Sequence, residues 1–171
     1  MNQLAMKSTT LDVLQHKTYS KEEDFKHTLN IWRFTDQKIV FTNGCFDLVH
    51  LGHIDYLAKA ADLGNRLIVG LNTDASTSNL KGPSRPITDQ HSRSAILAAL
   101  FFVDAVIFFD DATPLRLIQY IMPDVLVKGA DYSVDQIVGA DIVLAKGGEV
   151  KTIELLPGYS TTAIESKIKI Q

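Results

Sequence analysis

From residue 38 onward the chain alternates between two kinds of segment. "KIVFTN" (38–43), "RLIVGLN" (66–72), "VDAVIFF" (103–109) and "DVLVKG" (124–129) are short apolar runs rich in strand formers, with a fifth near "EVKTIEL" (149–155). Uninterrupted apolar runs of this length predict strands covered on both faces. The intervening segments place their apolar residues at helical spacing. "HIDYLAKAADLG" (53–64) carries Ile54, Leu57, Ala58 and Ala61 on one side and stops at Gly64. "DQHSRSAILAALF" predicts a second helix. "TPLRLIQYIM" predicts a third, with Thr113 as cap and Pro114 at its first position. A short helix is expected within 134–146, and "STTAIESKIKI" predicts a last one capped by Ser160 or Thr161. "TDASTSNLKGPSRP" reads as a polar loop. Strict strand–helix alternation predicts an α/β fold: a Rossmann-like, doubly wound, parallel five-stranded sheet with helices on both faces, over 38–171.

Residues 1–37 break this rhythm and predict an N-terminal helical extension. In "YSKEEDFKHTLNIWRF", Ser20 and Glu23 have capping-box spacing, and Phe25, Leu29 and Trp32 fall on one helical face. That stripe predicts docking on the domain or on a partner subunit. The first 15 or so residues, terminal and polar, are expected to be mobile.

Composition narrows the function classes. At 171 residues the length suits one domain with a sizeable core. A net charge of −3 without a basic run argues against an extended nucleic-acid surface. No apolar stretch approaches the roughly 20 residues needed to span a bilayer, and the N-terminus lacks the apolar core of a signal peptide, so no membrane association is expected. The single cysteine, Cys45, excludes an internal disulfide and fits a reducing cytoplasm.

In sheets of this kind, ligands bind beyond the carboxyl ends of the strands. The segments leaving those ends are "GCFDLVHLGH", "TDASTSNLKGPSRP", "DDATP" and "KGADY", so the conspicuous polar clusters share one rim. Two of the five histidines, His50 and His53, stand three residues apart in the first of them. A protein-ligated zinc site is disfavoured, because no second cluster of Cys or His completes it. A helix N-terminus offers backbone N–H groups and a favourable dipole to phosphate. Imidazoles there can donate to oxygens gaining charge, while Gly44 and Gly52 let backbone come close to a ligand.

These residues carry a resemblance. "GCFDLVHLGH" resembles the G-x-F-D-x-x-H-x-G-H motif of the cytidylyltransferase-like nucleotidyltransferases. "GYSTTAI" (158–164) is similar to their I-S-T-T motif, although Tyr159 stands where members often have another residue. "RSAILAALFFVDAVIFF", with Arg93 and the Val103–Asp104 pair, is similar to the segment between. Within the family, "LKGPSRPI", "VKGADY" and "GGEVKTIELLPGYSTT" resemble the adenylyltransferases that form ADP-heptose, in a free-standing form.

The resemblance implies transfer of AMP from ATP to a sugar 1-phosphate, D-glycero-D-manno-heptose 1-phosphate, without a covalent intermediate. Mg2+ would be held mainly by the ATP phosphates, and a homodimer is expected. It further implies that His50 and His53 stabilise phosphate charge and that Lys81 neutralises it. Thr42, Asn43, Gly44, Cys45, Phe46 and Gly52 of the first motif would line the nucleotide, Cys45 as a small packed residue rather than a nucleophile. Lys128, Gly129, Asp131 and Tyr132 would lie beside the nucleotide, and Arg93, Ser160, Thr161 and Thr162 would hold its phosphates. Asp47, Asn72 and Arg85 would face the acceptor, Arg85 as a phosphate contact. Glycerol 3-phosphate with CTP, or FMN with ATP, are the alternatives inside the family, and a nucleotide-binding module without catalysis is the alternative outside it. A dehydrogenase is disfavoured, since no G-x-G-x-x-G follows the first strand.

Overall fold

The computed structural model describes residues 9–169. The chain begins with α1 (Thr10–His16), β1 (Thr18–Tyr19) and α2 (Glu22–Phe34), followed by β2 (Ile39–Gly44), α3 (Leu51–Ala61) and β3 (Arg66–Asn72). Next come α4 (Asp74–Lys81), α5 (Gln90–Ala99), β4 (Ala105–Phe109), α6 (Leu115–Ile121) and β5 (Val125–Gly129). A 3-10 turn (Val134–Gln136), α7 (Ala140–Ala145), β6 (Glu149–Ile153) and α8 (Thr161–Lys169) complete it. The strands form one sheet in the order β1-β4-β3-β2-β5-β6, all pairs parallel.

Side chains alternate across the sheet as the period of two requires. Val40, Leu67, Val69, Val106, Val125 and Val127 face one layer, where Leu57 and Ala60 of α3 and Leu97 and Ala98 of α5 cover them. Ile39, Phe41, Ile68, Ile107 and Leu126 face the other, under Phe25 and Leu29 of α2, Leu117 and Ile118 of α6 and Val143 of α7. Both faces are therefore dry, which is why the strands read as unbroken apolar runs.

The sheet has six strands rather than five. Thr18 and Tyr19 pair with Val106 and Ile107 at the edge, a register too short to leave a periodic signal. Residues 10–16 are not a mobile arm: they form α1, closed by a capping box between Thr9 and Asp12 and packed on the core through Leu14. The expectation for residues 1–8 lies outside the described residues.

The Phe25–Leu29–Trp32 stripe docks on the domain itself, with Phe25 and Leu29 buried and Trp32 partly so. The Ser20 capping box does not form; Lys21 occupies the cap without a side-chain bond, and acidic residues in the first turn complement the dipole instead. At α6 the cap is Pro114, one residue past Thr113. The polar stretch 73–86 is not all loop. Residues 74–81 are helical because Thr73 caps Ser76 N and buried Ser76 and Thr77 replace the missing apolar stripe. Among the described residues no helix is long and apolar enough to cross a membrane.

Chain order reverses between β2 and β5: β3 and β4 lie to one side of β2, β5 and β6 to the other. Ligand crevices open at such a switch point. Asn43 and Lys128 meet there, Lys128 Nζ donating to Asn43 Oδ1 over 2.5 Å.

Candidate active site

The loop joining β2 to α3 is the centre of the rim. It turns sharply because Phe46 and Leu48 both adopt left-handed backbone, at φ 47° and 53°. Each such residue costs about 1–3 kcal/mol, so the surroundings must impose the shape. Two buried ionic side chains do so. Asp47 accepts from Arg85 Nη1 (2.8 Å), Ile87 N (2.9 Å), Thr88 N (3.1 Å) and Thr88 Oγ1 (3.1 Å). Burial works to raise the Asp47 pKa, but these hydrogen bonds outweigh it and hold the carboxyl below its usual value. Arg93, fully buried, donates from Nη1 to Cys45 O (2.6 Å), from Nε to Thr88 O (3.0 Å) and from Nη2 to Asp74 Oδ1 (2.7 Å).

That loop delivers the histidines. His50 is the N-cap of α3 but makes no side-chain cap bond, so its ring is free to turn onto His53. The rings stack at 3.9 Å between centroids and 20° between planes, with the Phe46 ring edge-on to His53 at 5.3 Å. Gly52 permits this. A Cβ there would stand 3.1 Å from His50 Nδ1 and 3.2 Å from Tyr159 Cβ. Burial first, then the neighbouring His50 and Lys81 charges, push the His53 pKa down to about 4. Burial likewise lowers His50. Both rings are therefore neutral at physiological pH and able to donate through N–H. Among the described residues neither Nδ1 has a hydrogen-bond partner, although both are buried. Lys81, the last residue of α4, is exposed and brings its charge towards the pair.

The C-terminal segment closes the other side. Ser160 Oγ accepts from Ala163 N (3.1 Å), capping α8, and Thr161 Oγ1 donates to Asp47 O (2.9 Å). The segments "GCFDLVHLGH" and "GYSTTAI", more than a hundred residues apart, are thus bonded to each other. Thr162 is exposed, with its carbonyl accepting from Ser166 Oγ (2.9 Å). At the end of β5, Lys128 Nζ lies 5.7 Å from the Tyr132 ring centre, and burial, partly offset by Asp131, lowers its pKa to about 8. A Cβ at Gly129 would collide with the Asp131 carboxylate, so only glycine lets that side chain fold back over the strand end.

The sequence-predicted residues thus separate into two groups. His50, His53, Gly52, Lys81, Ser160, Lys128, Asp131 and Tyr132 line the rim. Others are engaged by protein: Thr42 Oγ1 with Tyr56 OH (2.7 Å), Asn72 with Ser76 Oγ (2.9 Å) and Cys45 Sγ (3.7 Å), Gly44 against the Phe46 ring, and Asp47, Arg85 and Arg93 as above. Thr88, Asp74 and Glu165 escape a sequence reading. Thr88 sits beside the α5 cap Asp89, but nothing in the sequence pairs it with Asp47.

The sequence model for the cytidylyltransferase-like family matches residues 41–166, from the end of β2 into α8. The chain belongs to that family. Curated relatives named bifunctional protein HldE include one from Pseudomonas syringae pv. syringae, 58% identical over 135 residues, or 79% of this chain and 28% of that one. Another, from Magnetococcus marinus, is 51% identical over 146 residues, or 85% of this chain and 30% of that one. The chain spans about a third of the length of the curated relatives it matches. Among solved structures, a lipopolysaccharide core biosynthesis protein from Thermoplasma volcanium is 28% identical, with a TM-score of 0.55 over 70% of this chain and 97% of that one. A pantoate–beta-alanine ligase from Francisella tularensis, solved in complex with beta-gamma ATP and beta-alanine, shares the fold at 17% identity and a TM-score of 0.58, covering 90% of this chain and 77% of that one.

Proposed function

We propose that this chain transfers AMP from ATP to D-glycero-D-manno-heptose 1-phosphate, giving ADP-heptose and pyrophosphate for lipopolysaccharide core or related glycan synthesis. The observation that carries the reading is the stacked His50–His53 pair: neutral, buried on one side and set at the N-terminus of α3 beside Lys81 and Ser160. A phosphate oxygen of the acceptor bonds to the α-phosphorus. The bond from that phosphorus to the bridging oxygen breaks, and its electron pair leaves with pyrophosphate. The attacking oxygen is already anionic, so the step needs neither a general base nor a protein nucleophile, in keeping with a buried Cys45 whose thiol donates to Asn72.

What the step needs is compensation for charge on the phosphates, and preorganised N–H donors supply it. Neutral imidazoles suit this role because they donate without having to shed a proton near pH 7. Magnesium enters with ATP as the substrate complex. Among the described residues no cluster of three His, Cys, Asp or Glu side chains forms a metal site, and Asp47 is taken by Arg85, Ile87 and Thr88. The acceptor assignment rests on the resemblance of "LKGPSRPI" and "VKGADY" to ADP-heptose-forming enzymes and on the HldE relatives. The free Cys45 suits a reducing cytoplasm.

The test is pyrophosphate release with three MgATP or MgCTP pairs, compared by kcat/KM. ATP with the heptose 1-phosphate should exceed CTP with glycerol 3-phosphate and ATP with FMN by at least about 10³-fold, because buried polar groups left unpaired by the wrong acceptor are costly. If another pair wins, the heptose assignment falls; if none reacts, the catalytic reading falls.

A further inference from the structure

We infer that Glu165, on α8, is a positioning residue that holds the nucleotide-gripping turn 158–162 against the histidine loop, acting through Arg85. This rests on the reading above that Ser160 and Thr161 hold the ATP phosphates. Arg85 is the link. One of its amino groups donates to Asp47 Oδ2 at 2.8 Å, and the other pairs with Glu165. The guanidinium is nearly enclosed, its side chain 16% exposed, between a fully buried Asp47 and a Glu165 that is 22% exposed. A planar fork can serve two carboxylates at once, which a lysine ammonium on the same stem does far less well.

The position of α8 makes this pair consequential. None of residues 161–168 is fully buried, so among the described residues α8 shows no fully buried apolar side chain of the kind that fixes α3 or α5. Its described ties to the histidine loop are polar: Thr161 Oγ1 to Asp47 O, and Glu165 through Arg85 to the Asp47 carboxylate. Thr161 and Glu165 are one helical turn apart, so the two ties act on the same face of α8. Both converge on Asp47, three residues before His50. The turn holding Tyr159, which packs at Gly52, precedes the helix directly. Without the Glu165 tie, Thr161 Oγ1 to Asp47 O is the described hydrogen bond that remains between α8 and the histidine loop.

The test compares Glu165→Gln, Arg85→Lys and the double variant by ATP affinity in calorimetry, steady-state kinetics, and amide hydrogen exchange of residues 158–169. Glu165→Gln should weaken ATP binding and raise its KM about 10-fold, the scale of one lost, largely enclosed ion pair. Turnover should stay within about 2-fold and exchange in α8 should quicken. Arg85→Lys, which loosens the Asp47 contact as well, should weaken ATP binding at least as much, and the double variant should be no worse than Arg85→Lys, because the Glu165 tie is already cut in it. Wild-type ATP affinity in Glu165→Gln overturns the inference. So does a fall in kcat at constant KM, which would put Glu165 on the reacting groups, and so do fully additive effects. If the unaltered protein neither binds ATP nor releases pyrophosphate, the functional reading fails by itself. The exchange rates of α8 then decide the tie: unchanged rates in Glu165→Gln overturn it, quickened rates uphold it.

Discussion

Replacing Arg93 by methionine separates a scaffold arginine from a ligand-binding one. Methionine matches the length of the arginine stem without its charge, so the change deletes three hydrogen bonds while largely filling the space. The Cys45 carbonyl is left in a buried setting without its 2.6 Å donor, at a cost of about 1–3 kcal/mol. The Thr88 carbonyl is only partly shielded and loses about 1 kcal/mol. Asp74 is 42% exposed and can recover water, so its loss is about 0.5 kcal/mol. Together with the left-handed backbone that these bonds stabilise at Phe46 and Leu48, the loss should be about 3–5 kcal/mol, the usual scale for breaking a buried ionic cluster. For a chain of this size that lowers Tm by about 10 °C. Urea unfolding followed by circular dichroism should show a lower midpoint at an unchanged m value. A loss under about 1 kcal/mol together with a large fall in ATP affinity would refute the scaffold role and return Arg93 to the phosphate site.

Three further outcomes are expected. His50→Asn and His53→Asn should each lower kcat by about 10²-fold or more with little change in Tm, and a folded variant at near wild-type turnover would remove that histidine from the mechanism. His53, with a folded pKa of about 4 against 6.5 unfolded, binds fewer protons folded than unfolded between those values. Its contribution, at most about 3 kcal/mol, is complete above pH 6.5 and is lost as pH falls towards 4; His53→Asn should flatten that part of the stability–pH curve. Phe25→Ala, which empties a fully buried position under the sheet, should cost about 3–5 kcal/mol, and an unchanged urea midpoint would show that α2 is not part of the core.

The sheet could be read from sequence because burial on both faces leaves a simple trace. Every residue of β4 is buried, and so is every residue of β3 after Arg66, which no solvent-facing alternation could produce. What escaped leaves no trace of that kind. β1 is two residues long, paired with Val106 and Ile107 and flanked by a bond from Val106 N to Lys17 O. α4 is helical through polar packing of Ser76 and Thr77, so apolar periodicity could not reveal it. Ser20 and Glu23 have the right spacing for a capping box, but α2 starts at Glu22, one residue later than that box requires.

That the segments 42–53 and 158–164 meet could be expected from sequence, whereas which of their side chains face the rim could not, and the reason lies in the loop itself. Phosphate chemistry and loop geometry call for the same residue types: a carboxylate, arginines, small residues, hydroxyls. Gly52 and Gly44 both let something approach, but the thing approaching is a histidine ring in one case and a phenylalanine ring in the other. Asp47 and Arg93 look, in sequence, like groups that meet a ligand, yet each is buried and saturated by protein partners. Their charge is required all the same. Two left-handed residues, about 1–3 kcal/mol each, must be held in place by bonds stronger than neutral ones, and only an ionised carboxylate and a guanidinium provide several such bonds at a single point. The Asp47 and Arg93 network thus keeps the His50–His53 stack in register with the N-terminus of α3. Polar residues in such a segment can therefore be spent on the shape of the loop, and partner saturation in the folded state, not residue type, tells these from the ones that face the rim.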